Sequence, residues 1–76
     1  MNRVRVTVPI FELGCGGGGA LTVERALVKT PGIMRASVNA ATEMAYVELD
    51  ADQFDPNDLA AVVTRTGFRA GRPSYR

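Results

Sequence analysis

The stretch Gly14-Cys15-Gly16-Gly17-Gly18-Gly19-Ala20 limits what this chain can fold into more than any other. Each glycine loses more backbone entropy on ordering than any other residue, so the run extends neither a helix nor a strand cheaply. It must divide two regular elements and serve as the loop between them. That loop holds the single cysteine of a chain that has no histidine.

The flanks say which elements it divides. Upstream, Val4, Val6, Val8 and Ile10 alternate with Arg3, Arg5, Thr7 and Pro9. Period two with β-branched residues on one face predicts a half-buried strand. Pro9 has no N–H for a ladder, which puts it near the strand's end or at a bulge. Leu13 is expected to point towards the core from the start of the loop. Downstream, Ala20, Val23, Ala26 and Leu27 share one helical face, whereas Glu24, Arg25 and Lys29 fall elsewhere. Pro31-Gly32 stops that helix. No Ser, Thr, Asp or Asn stands where its cap belongs, so its first N–H groups are left to water or to a ligand.

The rest of the chain repeats the scheme. Residues 33–40 read as a second strand with Ala36, Val38 and Ala40 on one face, and 43–49 as a third with Ala45, Val47 and Leu49 on one face. The tight connection Ala41-Thr42 makes the pair a hairpin. A polar loop follows over 50–54. Asp55-Pro56 supplies an N-cap acid and then proline at the first helical position. Leu59, Val62, Val63 and Thr66 form the buried stripe of a second helix, which Gly67 ends. Residues 68–70 make a short final strand. Residues 71–76 are basic, contain Pro73 and are expected to fray. The expected organisation is one domain over 1–71 and a flexible tail over 72–76. Strand, helix, strand, strand, helix, strand with right-handed crossovers gives an α+β, ferredoxin-like βαββαβ sandwich: a four-stranded antiparallel sheet with two helices on one face.

Size and charge exclude several functions. A chain of 76 residues builds one small core and has no room for a deep substrate cavity as well. Nine Lys and Arg against eight Asp and Glu leave a net charge of +1, without the footprint of a nucleic-acid or anionic-membrane binder. One cysteine forms no internal disulfide, no apolar run reaches transmembrane length, and no signal-peptide core follows Arg3 and Arg5. A cytoplasmic protein in a reducing compartment is expected. Without histidine or an acid–base pair, a lone thiol is a poor nucleophile, so an enzyme is not expected. The glycines could cradle an anion, but the Lys and Ser/Thr of a P-loop are missing. Asp50, Asp52, Asp55 and Asp58 lack calcium-loop spacing and its closing Glu; a solvated loop and a helix cap account for them better.

A set of spaced residues adds a family to this reading. Val23-Glu24, Leu27, Pro31-Gly32-Ile33, Val38-Asn39, Ala41-Thr42-Glu43, Val47 and Gly67-Phe68 resemble the heavy-metal-associated domain family. That family comprises small copper chaperones, mercury-binding proteins and N-terminal modules of metal-transporting P-type ATPases. The similarity runs from about residue 4 to residue 70. Members carry Gly-Met-Thr-Cys-x-x-Cys at the first loop, and here this chain departs. Counting back from Val23-Glu24 puts Gly16 and Gly19 at the two cysteine positions. Counting forward from Ile10 puts Leu13 at the buried methionine, Cys15 at the first cysteine and Gly18 at the second. The forward register is preferred, because a slip of one residue turns a strand's inward face outward. In both registers the Cys-x-x-Cys pair is lost.

The resemblance implies metal chemistry at Cys15. Cu(I) prefers thiolates, and Zn(II) and Hg(II) also accept them. One chain then supplies one thiolate. The second must come from another copy in a metal-bridged dimer, from a partner such as a metal-transporting P-type ATPase, or from a small thiol. The positive end of a helix favours the thiolate, which promotes metal binding and oxidation alike. The plain alternative for Cys15 is a small, inert, buried residue. Met34 and Met44 could donate thioethers, but core or hairpin packing accounts for them better. Phe68 matches a position beside the metal in the family. The expected function is a small metal-binding or transfer module, chiefly for Cu(I); the alternative is a metal-free domain that docks or regulates.

Overall fold

The computed structural model describes residues 2–12 and 18–75. They form β1 (Arg3–Phe11), α1 (Gly18–Val28), β2 (Ile33–Asn39), β3 (Met44–Asp50), α2 (Leu59–Arg65), β4 (Arg69–Ala70) and β5 (Ser74–Tyr75), with a 3₁₀ turn at Pro56–Asp58 leading into α2. The sheet order is β2-β3-β1-β4, with β5 also on β1. Every pairing is antiparallel. This is the ferredoxin-like sandwich that the periodicity predicts. No helix among the described residues is long and apolar enough to cross a membrane.

The core lies where the two periods meet. Val6, Val8 and Ile10 of β1 and Ala45, Val47 and Leu49 of β3 are buried on the helix side of the sheet. Ala20, Val23 and Leu27 of α1 and Leu59, Val62 and Val63 of α2 close over them. Burying one such large apolar side chain stabilises the fold by about 1.5–3 kcal/mol. Ala26 and Thr66, expected on the buried faces, are only half-buried. Asp55 caps the 3₁₀ turn by accepting the Asn57 N–H at 2.9 Å, and Gly67 leaves α2 with φ of 98°.

Four details depart from the sequence expectation. The hairpin turn is longer than Ala41-Thr42: Asn39 pairs with Met44, and Asn39 Oδ1 accepts the Ala41 N–H at 2.9 Å. The Asn side chain stands in for a strand partner, so the loop closes two residues wider. Ala40 therefore falls in the turn rather than on β2.

Pro9 lies near the end of β1, two residues before Phe11, as expected; what departs is that β1 is a central strand and that the bulge lies on the facing chain. The Ile10 N–H donates to the Glu43 carbonyl at 2.8 Å, so the backbone groups of Pro9 face the other edge. On that edge Ile10 pairs with Ala70 and Val6 with Tyr75. Four steps along β1 thus face five along the edge chain, which is a β-bulge. The missing N–H falls where the edge ladder is interrupted. The Pro9 carbonyl still accepts the Gly71 N–H at 2.8 Å.

The tail is the third departure. Expected to fray, it instead returns to the sheet, where Ser74 pairs with Thr7 and Tyr75 with Val6. The open edge of β1 offers unpaired backbone groups that these residues satisfy.

Asp50 is the fourth. Expected in a solvated loop, it ends β3 at 5% exposure. Its Oδ1 accepts the N–H groups of Asn2 and Asp52, each at 3.0 Å. These bonds replace water and tie the start of β1 to the end of β3. The Asn2 bond first, then the Asp52 bond, hold the carboxyl below its ordinary pKa, against the opposing effect of burial.

Candidate metal-binding loop

The residues that the sequence singles out for metal chemistry join β1 to α1. Leu13, Gly14, Cys15, Gly16 and Gly17 lie outside the described residues. What the structure describes is the frame that holds this segment at both ends.

On the β1 side the chain turns at Glu12, whose φ is 63°. That left-handed conformation is uncommon for a residue with a side chain. Arg69 Nη2 donates to Glu12 Oε1 at 2.8 Å, beside the Phe11–Arg69 strand pair. Both side chains are 76% exposed, so the ion pair contributes at most about 1 kcal/mol. Its effect is positional: it links the residue before the loop to the first residue of β4. Phe11, Glu12, Gly67, Phe68 and Arg69 line a shallow hollow of about 310 Å³. Phe68 packs against the core from there, at the end of the sheet where β1 leaves it.

On the α1 side, Gly18 opens the helix and its carbonyl accepts the Thr22 hydroxyl at 2.9 Å. Ala20, 9% exposed, seats the first turn on the core. No acid stands in that turn. A Cβ built on Gly18 would meet nothing within 4 Å. Among the described residues nothing crowds the position that the forward register gives to the second thiol, and Gly18 itself carries no donor.

The other candidates are placed elsewhere. Met34 is 42% exposed on β2, at the far end of the sheet from Phe11, so it is not a core residue. Met44 is half-buried at the hairpin, opposite Pro9. Asp50 and Asp55 each spend a carboxylate oxygen on backbone N–H groups. Among the described residues no three Asp, Glu or Cys gather as a metal cluster. Glu12 and Arg69 were not singled out by the sequence. They stand 57 residues apart, and opposite charge at that separation carries no local signal.

The comparisons agree with this frame. A family model described as the heavy-metal-associated domain matches residues 7–69. A probable copper-transporting ATPase, SynA of a Synechococcus strain, is 37% identical over 70 residues. The match covers 91% of this chain and 9% of that protein, so the chain spans about a tenth of the length of the curated relatives it matches. The crystal structure of a copper binding domain from a P-type ATPase superposes with a TM-score of 0.88 at 23% identity, over 96% of this chain and 97% of that one. The Cu(I)-loaded N-terminal domain of a potential copper-translocating P-type ATPase from Bacillus subtilis gives a TM-score of 0.80 at 26% identity, over 90% and 84%. With the matched residues running from within β1 to the start of β4, the chain belongs to the heavy-metal-associated domain family.

Proposed function

We propose that this domain binds and passes on Cu(I) through Cys15, with the second thiolate supplied from outside the chain. One observation carries the reading: the only thiol falls in the segment between Glu12 and Gly18, and the open Gly18 position offers no second donor. The copper named for SynA and for the Bacillus domain supports the choice of cation. Soft Cu(I) is also the cation for which a single exposed thiolate is a useful ligand. The second donor is a P-type ATPase, another copy of this chain or a small thiol, and the exchange takes place in the cytoplasm. Zn(II) and Hg(II) also accept thiolates and compete for the same sulfur.

The test is a competition titration of Cu(I) against wild type and Cys15→Ala. Loss of the tight phase in the variant is expected; equal affinity of the two proteins ends the proposal. A native mass spectrum at half a copper per chain separates the donors. A dimer identifies a second copy, and a monomer carrying glutathione identifies a small thiol. A metal-free docking module is the alternative, favoured by the absence of the Cys-x-x-Cys pair. Capture of a P-type ATPase by metal-free Cys15→Ala as strongly as by wild type would select it.

A further inference from the structure

The sheet has a second face, turned away from the helices. In-register pairing arranges its side chains in rows. Arg5 of β1 and Arg35 of β2 both pair with Glu48 of β3, so one carboxylate stands between two guanidinium groups. In the next row Thr7 and Ser37 both pair with Tyr46. Tyr46 is 47% exposed. These six residues line a broad depression of about 610 Å³.

The charge of this face is unbalanced. Glu48 is held by Arg3 Nε at 3.3 Å and by Arg5 Nε at 3.9 Å. Its side chain is 18% exposed. Arg35 has no ion pair among the described residues. Around the depression Arg5 and Arg35 stand against the single carboxylate of Glu48, a local net charge of +1. The depression is wide and shallow, unlike the enclosed concave sites that hold small molecules. Guanidinium groups pair with carboxylates through two parallel hydrogen bonds, and a central aromatic beside them is a common anchor of protein interfaces.

We propose that this open face docks an acidic segment of a partner polypeptide. Arg35 and Arg5 take its carboxylates, and Tyr46 packs between them. The half-buried Glu48, with its carboxylate in the depression, selects against a polyphosphate backbone. A nucleic acid presents a negative charge at every step and meets Glu48 head on. A peptide places a neutral residue over it. None of the residues that line the depression belongs to the segment that carries Cys15, so the test uses metal-free protein.

The experiment uses the full chain and a short fluorescein-labelled peptide of alternating glutamate and alanine. Amide chemical shifts are expected to move at Arg5, Thr7, Ser37 and Tyr46. Affinity is expected to fall roughly tenfold or more in Arg35→Glu and on raising salt from about 0.05 to about 0.5 M. Arg65→Glu, on α2, should bind as wild type. Arg35→Gln, which keeps a neutral side chain of similar reach, gives a smaller loss in the same direction and covers the case in which the reversal fails to fold. The proposal is overturned by absence of binding, by shifts confined to α1 and α2, or by wild-type affinity in the Arg35 variants. Tighter binding of an oligothymidine of equal length than of the peptide overturns it as well.

Discussion

The Gly71 N–H donates to the Pro9 carbonyl at 2.8 Å, and a Cβ on Gly71 would approach Pro9 Cγ to 2.7 Å. The ring of Phe11 stands 3.1 Å from the same point. A cyclic side chain cannot swing aside, so the glycine lets the edge bulge close over the one residue of β1 that lacks an N–H. Gly71→Ala is expected to destabilise the domain by about 1–3 kcal/mol, the usual cost of overpacking. A urea melt reads this as a lower midpoint with an unchanged slope. An unchanged midpoint would mean that the contact is relieved at no cost.

Asp50 makes stability depend on pH in a defined direction. Its carboxyl is held below the ordinary value, near 3.9, by the Asn2 and Asp52 N–H groups. The unfolded chain therefore takes up the proton first. The contribution is complete above the unfolded pKa and is lost as the pH falls through the lower, folded one. Asp50→Asn keeps an acceptor oxygen but cannot ionise. The melting temperature of the variant should fall less steeply than that of wild type below about pH 4. Parallel slopes would assign the acid sensitivity to other carboxylates.

Gly18→Cys tests the metal reading from the other side. Among the described residues nothing lies within 4 Å of a Cβ at Gly18, so the substitution adds a thiol without a clash there. A second thiolate in the same chain acts at a high effective concentration, and Cu(I) affinity should rise by roughly tenfold or more. Copper should then bind one chain without added thiol. A dimer that persists in Gly18→Cys would count against the register that places Gly18 at the second cysteine.

Leu27 is 1% exposed between α1 and the sheet. Leu27→Ala leaves a cavity and is expected to cost about 2–5 kcal/mol. For a domain of this size that is most of the available stability. Circular dichroism at room temperature should show a substantial unfolded fraction. A stable variant would mean that α1 collapses into the space.

Much of this architecture was legible in the residues. Val6, Val8 and Ile10 announce β1 by alternation, and Val23 and Leu27 announce the inner face of α1, because side-chain period follows directly from backbone geometry. The candidate site was legible only as a composition: one thiol among glycines. Its supports were not. Glu12 carries no sequence mark of a left-handed turn, and its partner Arg69 comes from the other end of the chain. The fate of the tail was hidden for the same reason. Ser74 and Tyr75 are too short a run after Pro73 to read as a strand from sequence, and they pair with the edge of β1.

What the sequence determined alone is the order of elements, the identity of the buried faces and the uniqueness of the thiol at Cys15. These depend on near neighbours, and local periodicity records them. What only the tertiary structure decided is which distant groups meet: Pro9 beneath Gly71, Asp50 on Asn2, Glu48 between Arg5 and Arg35. Register, bulges and burial set those meetings, and they exist only once strands far apart in the chain lie side by side.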